Sequence, residues 1–280
     1  MEIQALTPKI AADIQGVDLA QPLSTAHIAE IKAAWDQHLV LRFRNQSITD
    51  HDLLRFSRYF GELDPPGPNP YGITFLPEFP EINVISNVKT ADGTPIGNLG
   101  DGEAVWHADM TYIETPPEAG ILHALEVPIG QGHTYFANMF AAYEALPEAL
   151  KLAIEGKTLI HDAAHNSAGM LRKGYSEVTD PRDTPGAHHP LAWQDTSGRK
   201  SLFLGRRPHA YILGLPLAES ESLLDQLWDH ATQPDWTWHN EWQVGDVLMW
   251  QNLFVLHRRD GFDPTVRRIM HRTQLKNLAA

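Results

Sequence analysis

The stretch DVLMWQNLFVLHRRDGFDPTVRRIMHRTQL (246–275) decides the fold reading. DVLMWQN (246–252) is a short apolar run that ends in turn residues, as a buried strand does. RRIMHRTQL (267–275) alternates, so Arg268, Met270 and Arg272 share one face while Ile269, His271 and Thr273 take the other. Further short strands, punctuated by Gly and Pro, are predicted at LVLRFRN (39–45), EINVISN (81–87), AGILHALEV (119–127), GHTYFAN (132–138) and SLFLG (201–205). Helical spacing appears at 25–37, with Ser24 or Thr25 as cap and Ile28, Ile31 and Trp35 on one face. It recurs at 50–60 with Gly61 as stop, at 139–155 with Pro147 opening a new helix, and at 219–231. Many short strands with a few helices imply a mainly β fold with α elements, a sandwich or jelly roll with helices packed outside. No internal repeat or linker divides the chain, so one domain over 1–280 is expected.

The chain has 15 His and 35 acidic residues in 280, so about two H-x-[D/E] triplets should arise by chance. Two occur: His107-Ala108-Asp109 and His239-Asn240-Glu241. Neighbours must separate them. In a strand, His107 and Asp109 would point the same way and offer an imidazole nitrogen and a carboxylate oxygen to one metal. A third ligand from a distant strand completes one face of an octahedron, the 2-His-1-carboxylate pattern of iron(II) oxygenases. His257, expected at a strand end, is the candidate. The bland alternative is a hydrogen-bonded surface pair. His239 and Glu241 lie in WTWHNEW, where alternating tryptophans suggest a packed strand with these two on its polar face. His161 and His165 have a zinc-like i, i+4 spacing, but no glutamate follows His161 as a metalloprotease would need. His188 and His189 sit among Pro and Gly and suggest a surface loop.

Arg268 and Arg272 would stand about 13 Å apart along their strand. Both cannot clamp one small carboxylate at one point. One can hold the distal carboxylate of a dicarboxylic cosubstrate by a bidentate fork, while the other serves a second anion nearer the metal. Solvent-facing arginines on an edge strand are the alternative.

A formal net charge of -13 disfavours nucleic acid or an anionic membrane as partner. The absence of cysteine removes disulfides, thiolate ligands and a cysteine nucleophile. With no signal-like start and no apolar run of membrane length, a cytoplasmic protein is expected. The segments 64–80, 88–104 and 163–190 are long and rich in Gly and Pro, which suits lids over a site.

With these residues in view, the chain resembles the taurine dioxygenase / 2,4-dichlorophenoxyacetate dioxygenase (TauD/TfdA) family from end to end. ADIQGVDL (12–19), RNQSITDHDLLRFSRYFGEL (44–63), WHADMTYIETPPEAGILHALEVP (106–128), GQGHTYFANMFAAYEALP (130–147), GDVLMWQNLFVLH (245–257) and RRIMHR (267–272) carry the resemblance. It implies a double-stranded β-helix binding Fe(II) through His107, Asp109 and His257. It implies 2-oxoglutarate on that iron, with its distal carboxylate held by Arg268 and Thr134, and Arg272 near the substrate's anion or the metal-proximal carboxylate. The chemistry implied is O2-dependent decarboxylation of 2-oxoglutarate to succinate and CO2, coupled to hydroxylation of a small organic acid.

Three positions depart from the family pattern. Glu103 stands where the taurine enzyme has a substrate-contacting asparagine, and a carboxylate there opposes a sulfonate unless it pairs with a cation such as Arg206 or Arg207. Gly130-Gln131-Gly132-His133-Thr134 replaces G-G-D-T, and Trp250-Gln251-Asn252 replaces W-D-N, a turn variant of little catalytic weight. Glu103, Tyr71, Arg207 and Arg272 are the substrate-wall candidates, with Arg206 and His209 nearby. Partners expected are a carboxylate or sulfonate substrate, with an amino-acid-like acid as alternative, and no nucleic acid or membrane; self-association stays open. A halogenase would lack the carboxylate ligand that Asp109 supplies. A non-catalytic jelly-roll binder has no use for Thr134, Arg268 and Arg272 at cosubstrate spacing.

Overall fold

A computed structural model describes residues 1–278. Its centre is a pair of sheets facing each other. The larger runs, in spatial order, Glu2–Ala5, Ala12–Gln15, Val40–Phe43, Val247–Gln251, Ala119–Glu126, Ile269–Leu278, Asn83–Ser86 and Asn98–Leu99, with Gly61–Asp64 also paired to Ile269–Leu278. The smaller is Thr237–Asn240, Thr134–Asn138, Val255–Arg259 and Ala104–His107. Its pairings are all antiparallel. This is the expected jelly roll, mainly β with helices outside.

Strand alternation sorts the core into layers. Leu248, Trp250, Leu122, Met270, Phe136 and Val255 fill the space between the sheets. Val247, Met249 and Ile121 point the other way, onto the helices Thr25–His38 and Asp50–Arg58 through Ile31, Trp35, Leu53 and Phe56. Ala137 and Leu256 turn outward from the smaller sheet, against Leu224, Leu227 and Trp228 of the helix Leu217–Ala231. The same parity therefore sends Thr134, His257, Arg268 and Arg272 inward with Phe136, Val255 and Met270.

Helix ends follow the capping chemistry. Ser24 accepts from the His27 amide, and Thr49 with Asp52 forms a capping box. The second helix stops at Arg58 and Gly61 already begins a strand, so that glycine is not the stop. Pro147 precedes Glu148–Ile154 as its N-cap. Residues 163–190 are a connection that includes the strand His188–Pro190, paired with Thr158–Ile160. His189 is therefore no surface residue: it is buried and bonds the carbonyls of Thr111 and Ile113. His161 and His165 follow a strand, so their helical spacing has no structural counterpart.

Two buried imidazoles make a pH prediction. Burial, then the neighbouring His271, pushes His123 down to about 4, against Asp50. Burial, then His189 and His188, pushes His161 well below the usual range, and among the described residues neither of its ring nitrogens has a hydrogen-bond partner. A lowered folded-state value means that the unfolded chain binds more protons. Stability is then full above the unfolded value near 6.5 and falls as pH drops toward 4, by up to about 1.4 kcal/mol per pH unit for each imidazole. Urea midpoints measured between pH 7.5 and 4.5 should fall, and His161→Gln should flatten the slope. An identical slope in that variant would count against this assignment.

Candidate active site

His107 ends the strand Ala104–His107, Asp109 lies in the turn after it, and His257 is in the middle of Val255–Arg259. Asp109 is thus just beyond the strand, and His257 is not at a strand end. His257 pairs in register with His107, which brings the two rings to 4.1 Å between centroids. One ligand atom from each of His107, Asp109 and His257 lies within 4.8 Å of the others. His107 Nε2 is 3.6 Å from Asp109 Oδ1, and His257 Nε2 is 3.7 Å from Asp109 Oδ2.

The protonation states suit a cation. His107 Nδ1 is 2.7 Å from the Val105 carbonyl, which fixes the proton there and leaves Nε2 a bare lone pair. Burial, then His107, pushes His257 down to about 3 against the pull of Asp109, so it is neutral. Burial opposes ionisation of Asp109, but Arg272, then His257 and His107, hold its carboxyl well below the usual range. Two imidazoles and one carboxylate are the donor set of a non-haem iron(II) site.

Asn252 fixes Asp109 from behind. Its Oδ1 accepts from the Asp109 amide at 2.7 Å, and its Nδ2 donates to the carbonyls of Asp109 at 2.9 Å and Pro117 at 2.8 Å. This turn residue therefore carries more weight than its sequence context suggests. Gly205 supports the other side, where its carbonyl accepts from the Ala108 amide at 3.0 Å. Its φ is +61°, and a Cβ there would stand 2.0 Å from His161 Nδ1, so only glycine fits.

Two chambers meet at this cluster, sharing Leu99, His107 and Arg272. The inner one is lined by Leu122, Phe136, Trp250, Thr134, Arg259 and Arg268 among others. Thr134 Oγ1 accepts from Trp242 Nε1 at 2.8 Å, which orients its hydroxyl. Arg268 is 1% exposed, and its guanidinium has no hydrogen bond or ion pair among the described residues. Burial, then Arg259, pushes its pKa well below the usual arginine range. Arg259 was not singled out in the sequence. It donates to the carbonyls of Leu99 and Gly102, tying down the segment that leads into His107. Its signal was there, because it stands two residues after His257 on the same strand face.

The outer chamber is lined by Asn69, Asp109, Tyr112, Asn166, Arg172 and Arg206 among others. Arg272 spans both chambers, and its Nη1 donates to Asp109 Oδ1 at 2.9 Å and Oδ2 at 2.8 Å. Both bonds use Nη1 alone, and among the described residues its buried Nε has no partner. Three other substrate-wall candidates do not line this chamber. Glu103 has a side chain 61% exposed and reaches only Arg258, at 3.8 Å, not Arg206 or Arg207. Tyr71 is 43% exposed and does not line the chamber. Arg207, in the bend after the bridge residue Arg206, turns outward to Glu221 and Asp225, while Arg206 takes the inward side against Asp162.

His239 and Glu241 are exposed and 3.7 Å apart on a strand edge, as expected of a structural pair. Asp162, His165 and His209 form a second cluster of metal-ligand type. Its carboxylate is already engaged by Arg206, by His165 Nδ1 at 2.9 Å and by the Ala164 amide at 2.7 Å. A cation there would face a guanidinium.

Residues 2–274 match the family model for the taurine catabolism dioxygenase TauD, TfdA family. The chain is 32% identical over 275 residues to the α-ketoglutarate-dependent 2,4-dichlorophenoxyacetate dioxygenase of Cupriavidus pinatubonensis, covering 95% of this chain and 94% of that protein. It is 33% identical over 287 residues to the (S)-phenoxypropionate/α-ketoglutarate-dioxygenase of Sphingobium herbicidovorans, covering 98% and 94%. The crystal structure of AAD-2 in complex with Mn(II) and N-oxalylglycine superposes with a TM-score of 0.78 at 28% identity, over 98% of this chain and 96% of that one.

Proposed function

This chain belongs to the TauD/TfdA family of α-ketoglutarate-dependent dioxygenases, and from that premise we propose that its single domain hydroxylates a small organic anion at an Fe(II) held by His107, Asp109 and His257. The observation that carries this reading is the buried Arg268, which has no hydrogen bond or ion pair from its guanidinium among the described residues and lines the same cavity as His107 and His257. A buried guanidinium without a counter-charge costs several kcal/mol and calls for an anion. The distal carboxylate of 2-oxoglutarate supplies it.

Fe(II), when bound, supplies the open coordination positions at which 2-oxoglutarate and O2 meet. The chain's own residues do the rest. Arg268 holds the distal carboxylate by a charge-assisted fork, and the Thr134 hydroxyl, set by Trp242, lies in the same cavity to donate beside it. Phe136 and Trp250 keep the chamber dry, which strengthens both contacts. Arg272 keeps Asp109 ionised, and Asn252 keeps its backbone in place. The substrate enters the outer chamber, between the segments 67–70 and 165–167. No described helix is long and apolar enough to cross a membrane; a cytoplasmic setting, where 2-oxoglutarate is abundant, is part of the proposal.

Succinate release from 2-oxoglutarate is the test. It should require Fe(II) and O2, stop with a chelator, and increase when an organic acid that fits is added. Equal release from chelated enzyme would contradict the reading.

A further inference from the structure

Three guanidinium groups line the outer chamber, and two of them are charge-paired with a carboxylate. Arg272 is bound to Asp109. Arg206 is bound to Asp162 and to the carbonyls of His165 and Asn166. Arg172 is the third. Its Nη1 donates to the Ala163 carbonyl at 2.7 Å, and its Cζ lies 4.0 Å from the centroid of the Tyr112 ring. These contacts fix the position of the guanidinium and neutralise nothing. Among the described residues no carboxylate pairs with it. Iron and 2-oxoglutarate arrive with opposite charges of equal size, so loading the site leaves the balance of the wall unchanged. Asn166 adds a second signal, because it lines the same chamber and its buried Nδ2 has no hydrogen-bond partner among the described residues. A buried donor of this kind is costly unless a ligand accepts from it.

Resting on the function proposed above, we propose that Arg172 binds the anionic group of the substrate, with Asn166 donating to a further acceptor on the same molecule. The substrate is then a carboxylate, sulfonate or sulfate ester that reaches from the iron to the wall formed by residues 163–172. This adds a second cation to the expectation that Arg272 lies near the substrate's anion. Tyr112 gives the anchor its stiffness: a guanidinium held over a ring keeps its position and presents its remaining N–H groups to the oxygens of a carboxylate, sulfonate or sulfate ester.

The experiment uses enzyme loaded with Fe(II) and 2-oxoglutarate. The probes are 2,4-dichlorophenoxyacetate, taurine, hexyl sulfate and pantothenate, scored by stimulated succinate formation. For the acid that works best, Arg172→Gln should raise KM about tenfold to a hundredfold, while the affinity for 2-oxoglutarate, measured by titration, stays at the wild-type value. Arg172→Lys should recover part of the loss. The neutral amide or alcohol counterpart of that acid should be a poor substrate for the wild type. An unchanged KM in Arg172→Gln would overturn the assignment, as would a neutral counterpart used as well as the acid. So would a wild type that makes succinate without substrate yet responds to none of the four acids. Loss of Fe(II)-dependent succinate formation from the wild type itself would instead remove the reading on which the proposal rests.

Discussion

Asp109→Ala and His257→Ala should each abolish iron retention and substrate-driven turnover, whereas His239→Ala should keep both. The expected loss in turnover is at least a thousandfold on the order-of-magnitude scale of removing an interaction on which every step depends. The reason is the donor set: each variant leaves two ligands where three are needed to hold the metal and keep the opposite face open. Asp109→Ala carries a second cost. It strands the buried Arg272 guanidinium, whose counter-charge is that carboxylate. Breaking a buried pair by removing one partner costs about 3–5 kcal/mol, so this variant should also melt well below His257→Ala. Metal content by mass spectrometry and thermal melting check the two parts separately. Iron retained by Asp109→Ala would refute the ligand assignment.

Replacement of Arg268 should move two quantities in opposite directions. Arg268→Met removes a buried cation that has no hydrogen bond or ion pair among the described residues. The cosubstrate-free protein should therefore become more stable, by about 1–4 kcal/mol on the scale measured for buried ion replacements. Binding of 2-oxoglutarate should fall by a hundredfold or more, because its distal carboxylate would enter an apolar cavity without a counter-charge. Arg268→Lys keeps the charge and loses the fork, so a loss of about tenfold to a hundredfold is expected. A stable Arg268→Met protein that still bound the cosubstrate at wild-type affinity would sink this account. A destabilised one would mean that Arg268 already has an unseen partner.

The sequence was legible where physics is local. Alternation in RRIMHRTQL set which face Arg268 and Arg272 share, and the apolar runs at 119–127 and 246–252 became adjacent central strands. The His107–Asp109 spacing brought both side chains to one place even though Asp109 lies past the strand end. What failed was long-range pairing. Glu103 precedes His107 by four residues, yet its nearest cation is Arg258, set by a neighbouring strand. Arg206 and Arg207 are adjacent, and only tertiary packing decides which one meets Asp162 and which one meets Glu221. His189 differs from expectation because a Pro/Gly-rich context hides a short strand whose central side chain alone turns inward. Asn252 was undervalued because its work is to hold a backbone 143 residues away in the chain.

Crystals of the protein grown with Mn(II) and 2-oxoglutarate without oxygen test the central claim most directly. The account predicts one metal bonded to His107 Nε2, Asp109 and His257 Nε2, with the distal carboxylate of the cosubstrate on Arg268. A metal bound instead by Asp162, His165 and His209, the other cluster with ligand atoms close enough to hold one, would contradict it.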